Sequence, residues 1–213
     1  MLRRRHAEAG FTLTELLVSV TILGVIAFPL GNVMIGFLHN SNATIGRLAE
    51  SHDAQISAAY FAQDVASLGA RNWSDTVTPY AYLQSVELNA PASGGLYPCG
   101  AASLPNAVIR LAWDDYPNGA SAAPVQTRAA YVIETVGSQQ QLHRITCAGN
   151  ATVVSDAVLA HDLVSATAAC ATNCTGTGSA LPRRITLTLT IADPESGSGN
   201  PYTVTLTGDR RQT

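Results

Sequence analysis

Lysine is absent from this 213-residue chain. The 12 basic residues are all arginine and are outnumbered by 15 acids, leaving a formal charge of −3. Bulk charge therefore does not favour a nucleic-acid surface, because such surfaces concentrate Lys and Arg on one face. Common catalytic signatures are missing too: there is no G-x-S-x-G, no H-E-x-x-H and no phosphate-loop sequence, and the five histidines are scattered. On these grounds no enzyme, no small-molecule substrate and no cofactor are expected. The length accommodates one domain plus an anchor, with enough apolar content to bury a core.

What is present is concentrated at the amino end. Residues 1–10 carry Arg3, Arg4 and Arg5 against Glu8. Without them the chain keeps nine arginines and 14 acids, a charge of −5. The run from Phe11 to Phe28 follows, apolar apart from one charge, Glu15. Read as helix from Phe11 to Leu38 it spans roughly 42 Å, beyond the ~30 Å of a bilayer core. The basic head predicts a cytoplasmic N-terminus and an exported C-terminal bulk. A carboxylate at bilayer depth costs at least ~2.5 kcal/mol, so Glu15 calls for a cationic partner. Two plainer readings compete. A cleaved secretory signal finds small residues at Ser41-Asn42-Ala43, but the apolar region exceeds the ~7–15 residues of a signal core and Glu15 breaks it near its start. An uncleaved single-pass anchor leaves Glu15 unpartnered. Pro29, with Gly31 and Gly36 behind it, either kinks the helix or marks where the bilayer ends.

A basic head, the Gly10-Phe11 junction and a glutamate five residues into an apolar helix resemble the N-terminus of type IV prepilins and of the related type II secretion pseudopilins. The resemblance implies that a prepilin peptidase cuts between Gly10 and Phe11 and methylates the new amino group of Phe11. It also implies that Glu15 meets the N-terminal amine of a neighbouring subunit during assembly. Phe11 and Glu15 are also i,i+4 on one helix, so the pair can close within a single chain. Implied partners are the peptidase, other pilins or pseudopilins, and cytoplasmic-membrane lipids.

Beyond Asn40 the chain turns polar yet keeps a helical stripe at Ala54, Ala58, Phe61, Val65 and Leu68. This predicts the exported half of one long helix, residues 39–70, with the stripe packed on a sheet. Residues 71–213 read as an antiparallel β domain. Within it, 75–106 is rich in Pro, Gly and Ser and reads as a long loop, and 107–113 as a strand. Residues 129–135 and 141–147 flank a Gly-Ser turn and read as a hairpin. Ile185, Leu187, Leu189 and Ile191 alternate with threonines, as do Tyr202, Val204 and Leu206, which predicts a half-exposed closing hairpin. The fold class is α+β, pilin-like: a long N-terminal helix on an antiparallel sheet.

Cys99, Cys147, Cys170 and Cys174 all follow the apolar segment, where export permits disulfides. Of three full pairings, one closes a small Cys170–Cys174 loop and joins Cys99 to Cys147. The rival is zinc held by His143, Cys147, Cys170 and Cys174. Asp114, Asp115 and Asn118 offer oxygen ligands beside a turn, without the alternation of an EF-hand loop. Arg183, Arg184, Arg210 and Arg211 form a basic patch if the ends of the last hairpin meet. The order of elements, ending in Gly208-Asp209-Arg210-Arg211, looks like the larger minor pilins and the J-type minor pseudopilins. The last cysteine precedes the final hairpin, unlike the terminal disulfide loop of many major pilins. The expected function is a minor pilin-like subunit at or near the start or tip of a fibre. The alternatives are a minor pseudopilin of a type II secretion system and an adhesive or DNA-uptake subunit.

Overall fold

The computed structural model describes residues 12–74, 76, 79–117, 119, 123–192 and 201–211. Two compact units are present, Met1–Arg47 and Leu48–Thr213. One helix, α1 (Leu13–Ser67), contributes to both.

In the first unit α1 carries a membrane-like surface. Its most apolar 18 residues have a mean hydropathy of 2.1, and none of that window is buried. Leu16, Leu17, Ile22, Val25, Phe28 and Ile35 are all more than half exposed, so the chain itself supplies no cover for them. Residues 13–38 rise about 39 Å as helix, long enough to cross a bilayer core. Pro29 does not end the helix, which continues through Gly31 and Gly36. A proline forfeits one backbone donor and strains one turn, and turns continue on both sides of it here.

The second unit packs the last turns of α1 on two antiparallel sheets. Five strands, β1 (Val86–Ala90), β2 (Ala107–Asp115), β3 (Val125–Val136), β4 (Gln139–Ala148) and β5 (Val153–Ala160), pair in chain order. Three more, β6 (Leu163–Cys170), β7 (Arg184–Ile191) and β8 (Tyr202–Asp209), form the second sheet, also in chain order. The expected α+β layout, a long helix on antiparallel sheet, is the one observed. Phe61, Val65 and Leu68 are fully buried, with Ala58 packed beside them. They meet Ile109, Leu111, Tyr131 and Leu142 of the first sheet and Ile185, Leu187 and Leu206 of the second in one core. Phe61 and Tyr131 make an edge-to-face pair at 5.5 Å, an arrangement contributing ~0.5–1.5 kcal/mol beyond area burial. Gly208 of β8 lies so near the helix that a Cβ there would sit 2.5 Å from Val65 Cβ.

Period-two patterning located the closing hairpin well: Ile185, Leu187, Leu189 and Ile191 are buried while the intervening threonines are half-exposed. The 129–135 and 141–147 hairpin is β3–β4, with Val132 opposite His143. The stretch 75–106 departs from the expected loop, because it contains β1, paired with β2 from Val86↔Leu111 to Ala90↔Ala107. Its sequence, Val-Glu-Leu-Asn-Ala, hides the strand. Asn89 adopts a positive φ of 51°, a conformation asparagine tolerates better than most residues. The strands β5 and β6 were also not foreseen. Both lie at sheet edges, β6 is alanine-rich, and Val154 and Val164 face solvent, so neither shows clean alternation.

Cys99 is bonded to Cys147 and Cys170 to Cys174. The first bond lies in a small second core on the face of the sheet turned away from α1, with Ala107, Ala130, Val132 and Ile145. It bridges 48 residues and the second bridges only four. On loop-closure entropy, Cys99→Ala/Cys147→Ala is expected to lose about 4 kcal/mol of stability and Cys170→Ala/Cys174→Ala about 2. Urea unfolding of each double variant checks the order. Equal losses would mean that strain or packing outweighs chain entropy.

Candidate functional site

Among the described residues, polar groups gather at the amino end of α1, at the arginine-bearing end of the β domain, around His143 and beneath the helix at Asp64. At the first, Thr12 opens the helix. Its carbonyl accepts from Glu15 N at 3.1 Å and Leu16 N at 3.2 Å, and its hydroxyl accepts from Glu15 N at 3.3 Å. The same hydroxyl donates to Glu15 Oε2 at 3.4 Å. Thr12-Leu13-Thr14-Glu15 therefore has the T-x-x-E spacing of a capping box, a signal legible in the sequence alone. A carboxylate in the first turn gains ~0.3–1 kcal/mol from the helix dipole. That is well below the ~2.5–3.5 kcal/mol for a charge at the bilayer centre. Local capping explains why the helix starts here and leaves the larger electrostatic demand unmet. Ser19 and Thr21 meet theirs within the helix, donating to Glu15 O and Val18 O at 2.8 Å each. Gly10 and Phe11 lie outside the described residues, and so does any Phe11–Glu15 contact.

In the β domain the sequence-derived groupings separate. His143 and Cys147 do share a face of β4, but Cys147 is bonded to Cys99, and Cys170 and Cys174 are bonded to each other. The four-residue zinc set is not assembled. His143 instead lies beside Asp156, with Nδ1 2.9 Å from Oδ1, and beside Gln141 at Nε2, 3.3 Å. Among the described residues, Glu134, His143 and Asp156 approach the geometry of a metal-ligand cluster, their ligand atoms within 4.8 Å of one another. Asp114 and Asp115 are successive on β2 and point to opposite sides. Asp114 Oδ2 accepts from Arg71 N at 2.8 Å and Trp73 Nε1 at 2.9 Å, whereas Asp115 Oδ1 accepts from Tyr116 N. Partial burial raises the Asp114 carboxyl above its usual range, and these two donors and the Arg71 charge oppose the rise. The pair is thus not joined in one oxygen cage, and Asn118 lies outside the described residues.

The ends of the last hairpin do meet: Arg210 N donates to Arg183 O at 2.7 Å. The four arginines nevertheless divide. Arg184 is held by Asp209 at 2.8 and 3.2 Å on an exposed strand face, and Arg211 lies against Ala66, whose carbonyl its N–H reaches at 3.2 Å. Arg183 and Arg210 line a cleft of about 350 Å³ with Arg71 and Tyr82. Arg71 and Tyr82 carry no sequence signal for this role; only the antiparallel bridge between them brings them here.

Sequence reasoning also missed the polar network beneath the helix. Asp64 is 1% exposed on α1 and accepts from Arg144 Nε and Nη2 at 2.7 and 2.6 Å and from Tyr131 Oη at 2.7 Å. Arg144 also stacks on Tyr60 at 4.9 Å. Burial and the adjacent Asp64 carboxylate push the Tyr131 phenol well above its ordinary range. This is a structural clamp, two donors from the sheet closing on one carboxylate of the helix.

Among known families, the one described as the prokaryotic N-terminal methylation motif matches residues 5–30. No curated protein and no solved structure matches the chain. The matched residues take in Gly10, Phe11 and Glu15 together with most of the apolar run.

Proposed function

We propose that this chain, whose residues 5–30 match the prokaryotic N-terminal methylation motif and whose N-terminal helix is long and apolar enough to cross a bilayer, serves as a minor pilin-like subunit of a type IV pilus, at assembly initiation or at the tip. The observation that carries the reading is the methylation motif laid over a helix whose apolar surface is left uncovered among the described residues. Such a surface needs lipid first and neighbouring helices afterwards. The basic head sets the N-terminus in the cytoplasm and the β domain on the far side. Cleavage between Gly10 and Phe11 releases that head, and N-methylated Phe11 becomes the new terminus. In the fibre, its amine on one subunit pairs with Glu15 of the next. The two disulfides suit an exported domain.

The test is the intact mass and N-terminal sequence of membrane-extracted protein from cells with and without prepilin peptidase. A chain beginning at N-methyl-Phe11 only when the peptidase is present supports the reading. An N-terminus at Met1 in both strains, or one near Thr44, overturns it. Gly10→Leu should abolish the cut and accumulate precursor. Neighbouring genes separate pilus from secretion system: a retraction ATPase supports the pilus, and four sister pseudopilins beside a secretin move this subunit to a periplasmic secretion assembly.

A further inference from the structure

The cleft at the end of the second sheet collects positive charge without collecting any acid. Arg71, Arg183 and Arg210 line it, and no carboxylate does among the described residues. The nearby acids are committed elsewhere, Asp114 to Arg71 N and Trp73, and Asp209 to Arg184. Tyr82 organises the cations. Arg71 donates from Nη2 to its hydroxyl at 2.9 Å and stacks 4.9 Å from the ring centre, and Arg210 stacks on the same ring at 5.2 Å. Two guanidinium groups are thus held at most about 10 Å apart around one aromatic ring. Nε and Nη1 of Arg210 are shielded from water and have no acceptor among the described residues. A buried donor without an acceptor is rare in a folded protein and marks a group awaiting a partner or an ion. The ring holds Arg210 in place, and no carboxylate pairs with it among the described residues.

We propose that this cleft binds a phosphate group carried on a ring-bearing moiety of mononucleotide size. Guanidinium forks match the oxygens of a phosphate in paired hydrogen bonds, better than ammonium groups do. Three of them suit a dianion better than a single carboxylate. The cleft, about 350 Å³, has room for more than the anion. Two aromatic rings, Tyr80 and Tyr82, stand in its wall among Pro79, Ala81, Gly178 and Ser179. Tyr80 lines the cleft and packs on Trp73 at 4.8 Å, and Trp73 is 39% exposed. Exposed aromatic faces of this kind accept flat rings by stacking. The site is independent of the amino-terminal motif, so its failure leaves the assembly reading untouched.

The experiment is calorimetric titration of the full chain in nonionic detergent with inorganic phosphate, ribose 5-phosphate and uridine 5′-monophosphate, with Trp73 fluorescence followed in parallel. Expected are saturable one-to-one binding of all three, the mononucleotide tightest, and a fluorescence change for that ligand. Arg210→Ala should weaken binding roughly ten- to hundredfold, the loss of one charge-assisted contact. Arg184→Ala, outside the cleft and paired with Asp209, should change nothing. If Arg210→Ala unfolds, Arg183→Ala on the exposed side of the cleft gives the same reading. Equal weakening by Arg183→Ala and Arg184→Ala overturns the site in favour of general charge attraction. Non-saturating phosphate binding overturns it too, as does tighter binding of glucuronate than of any phosphate. Equal affinity for phosphate and mononucleotide overturns the aromatic half of the proposal.

Discussion

Glu15→Ala should leave the chain inserted in the membrane and absent from fibres. The expected loss is large because, among the described residues, the carboxylate has only a local role: Thr12 closes a weak cap on it at 3.4 Å. Removing that cap costs at most about 1 kcal/mol of helix stability. Losing one member of a buried ion pair between subunits costs ~3–5 kcal/mol per interface. Two readouts separate the effects. Membrane extraction reports insertion, which should improve slightly when the lone charge is removed from an apolar helix. Sheared-fibre immunoblotting reports incorporation, which should fall to background. Glu15→Gln keeps the shape and the capping acceptor but loses the charge, and should behave like Ala if pairing with an amine is the mechanism. Incorporation of either variant at the normal level would refute that mechanism.

The second large effect lies under the helix. Asp64→Ala is expected to destabilise the β domain by about 3–5 kcal/mol, since it strands the Arg144 guanidinium and the Tyr131 hydroxyl in a buried site. Asp64 is the acceptor of three hydrogen bonds from two strands, across sequence separations of 67 and 80 residues. Urea unfolding followed by tryptophan fluorescence measures the change. A loss below 1 kcal/mol would show that water reaches the site and satisfies the donors. The triple change Asp64→Leu/Tyr131→Phe/Arg144→Met removes all the polar partners at once and should recover most of the stability. That recovery would identify the network as a device of register more than of net stability: it aligns the helix on the sheet, and greasy contacts hold it there.

The sequence was most legible where one period dominates. The alternation of Ile185, Leu187, Leu189 and Ile191 with threonine located β7, because one face of the strand is buried and the other is half-exposed. The stripe Phe61, Val65, Leu68 located the packed face of α1 for the same reason. Legibility failed where a residue's environment is set by distant chain. Asp64 is one polar residue at the flank of the apolar stripe of α1, and its partners arrive from 67 and 80 residues away. Arg110 in β2 is fully buried by its contacts with Glu87 and the carbonyls of Pro91 and Gly94. No local pattern announces that. At the amino end the opposite holds. The methylation motif is linear, its chemistry is performed on contiguous residues, and it is readable without a fold.

The place of Gly208 against Val65 has a consequence for the order of events in the cell. α1 is translated before both sheets, and β8, one of the strands that seats its carboxyl half, is translated after the other seven. Leu206 and Gly208 complete the wall beneath the helix, and Arg211 N reaches back to Ala66 O. Until those residues leave the ribosome the apolar stripe has an open side. The second unit therefore closes only once β8 has been made. Until then the open stripe of one chain is free to find the sheet of another.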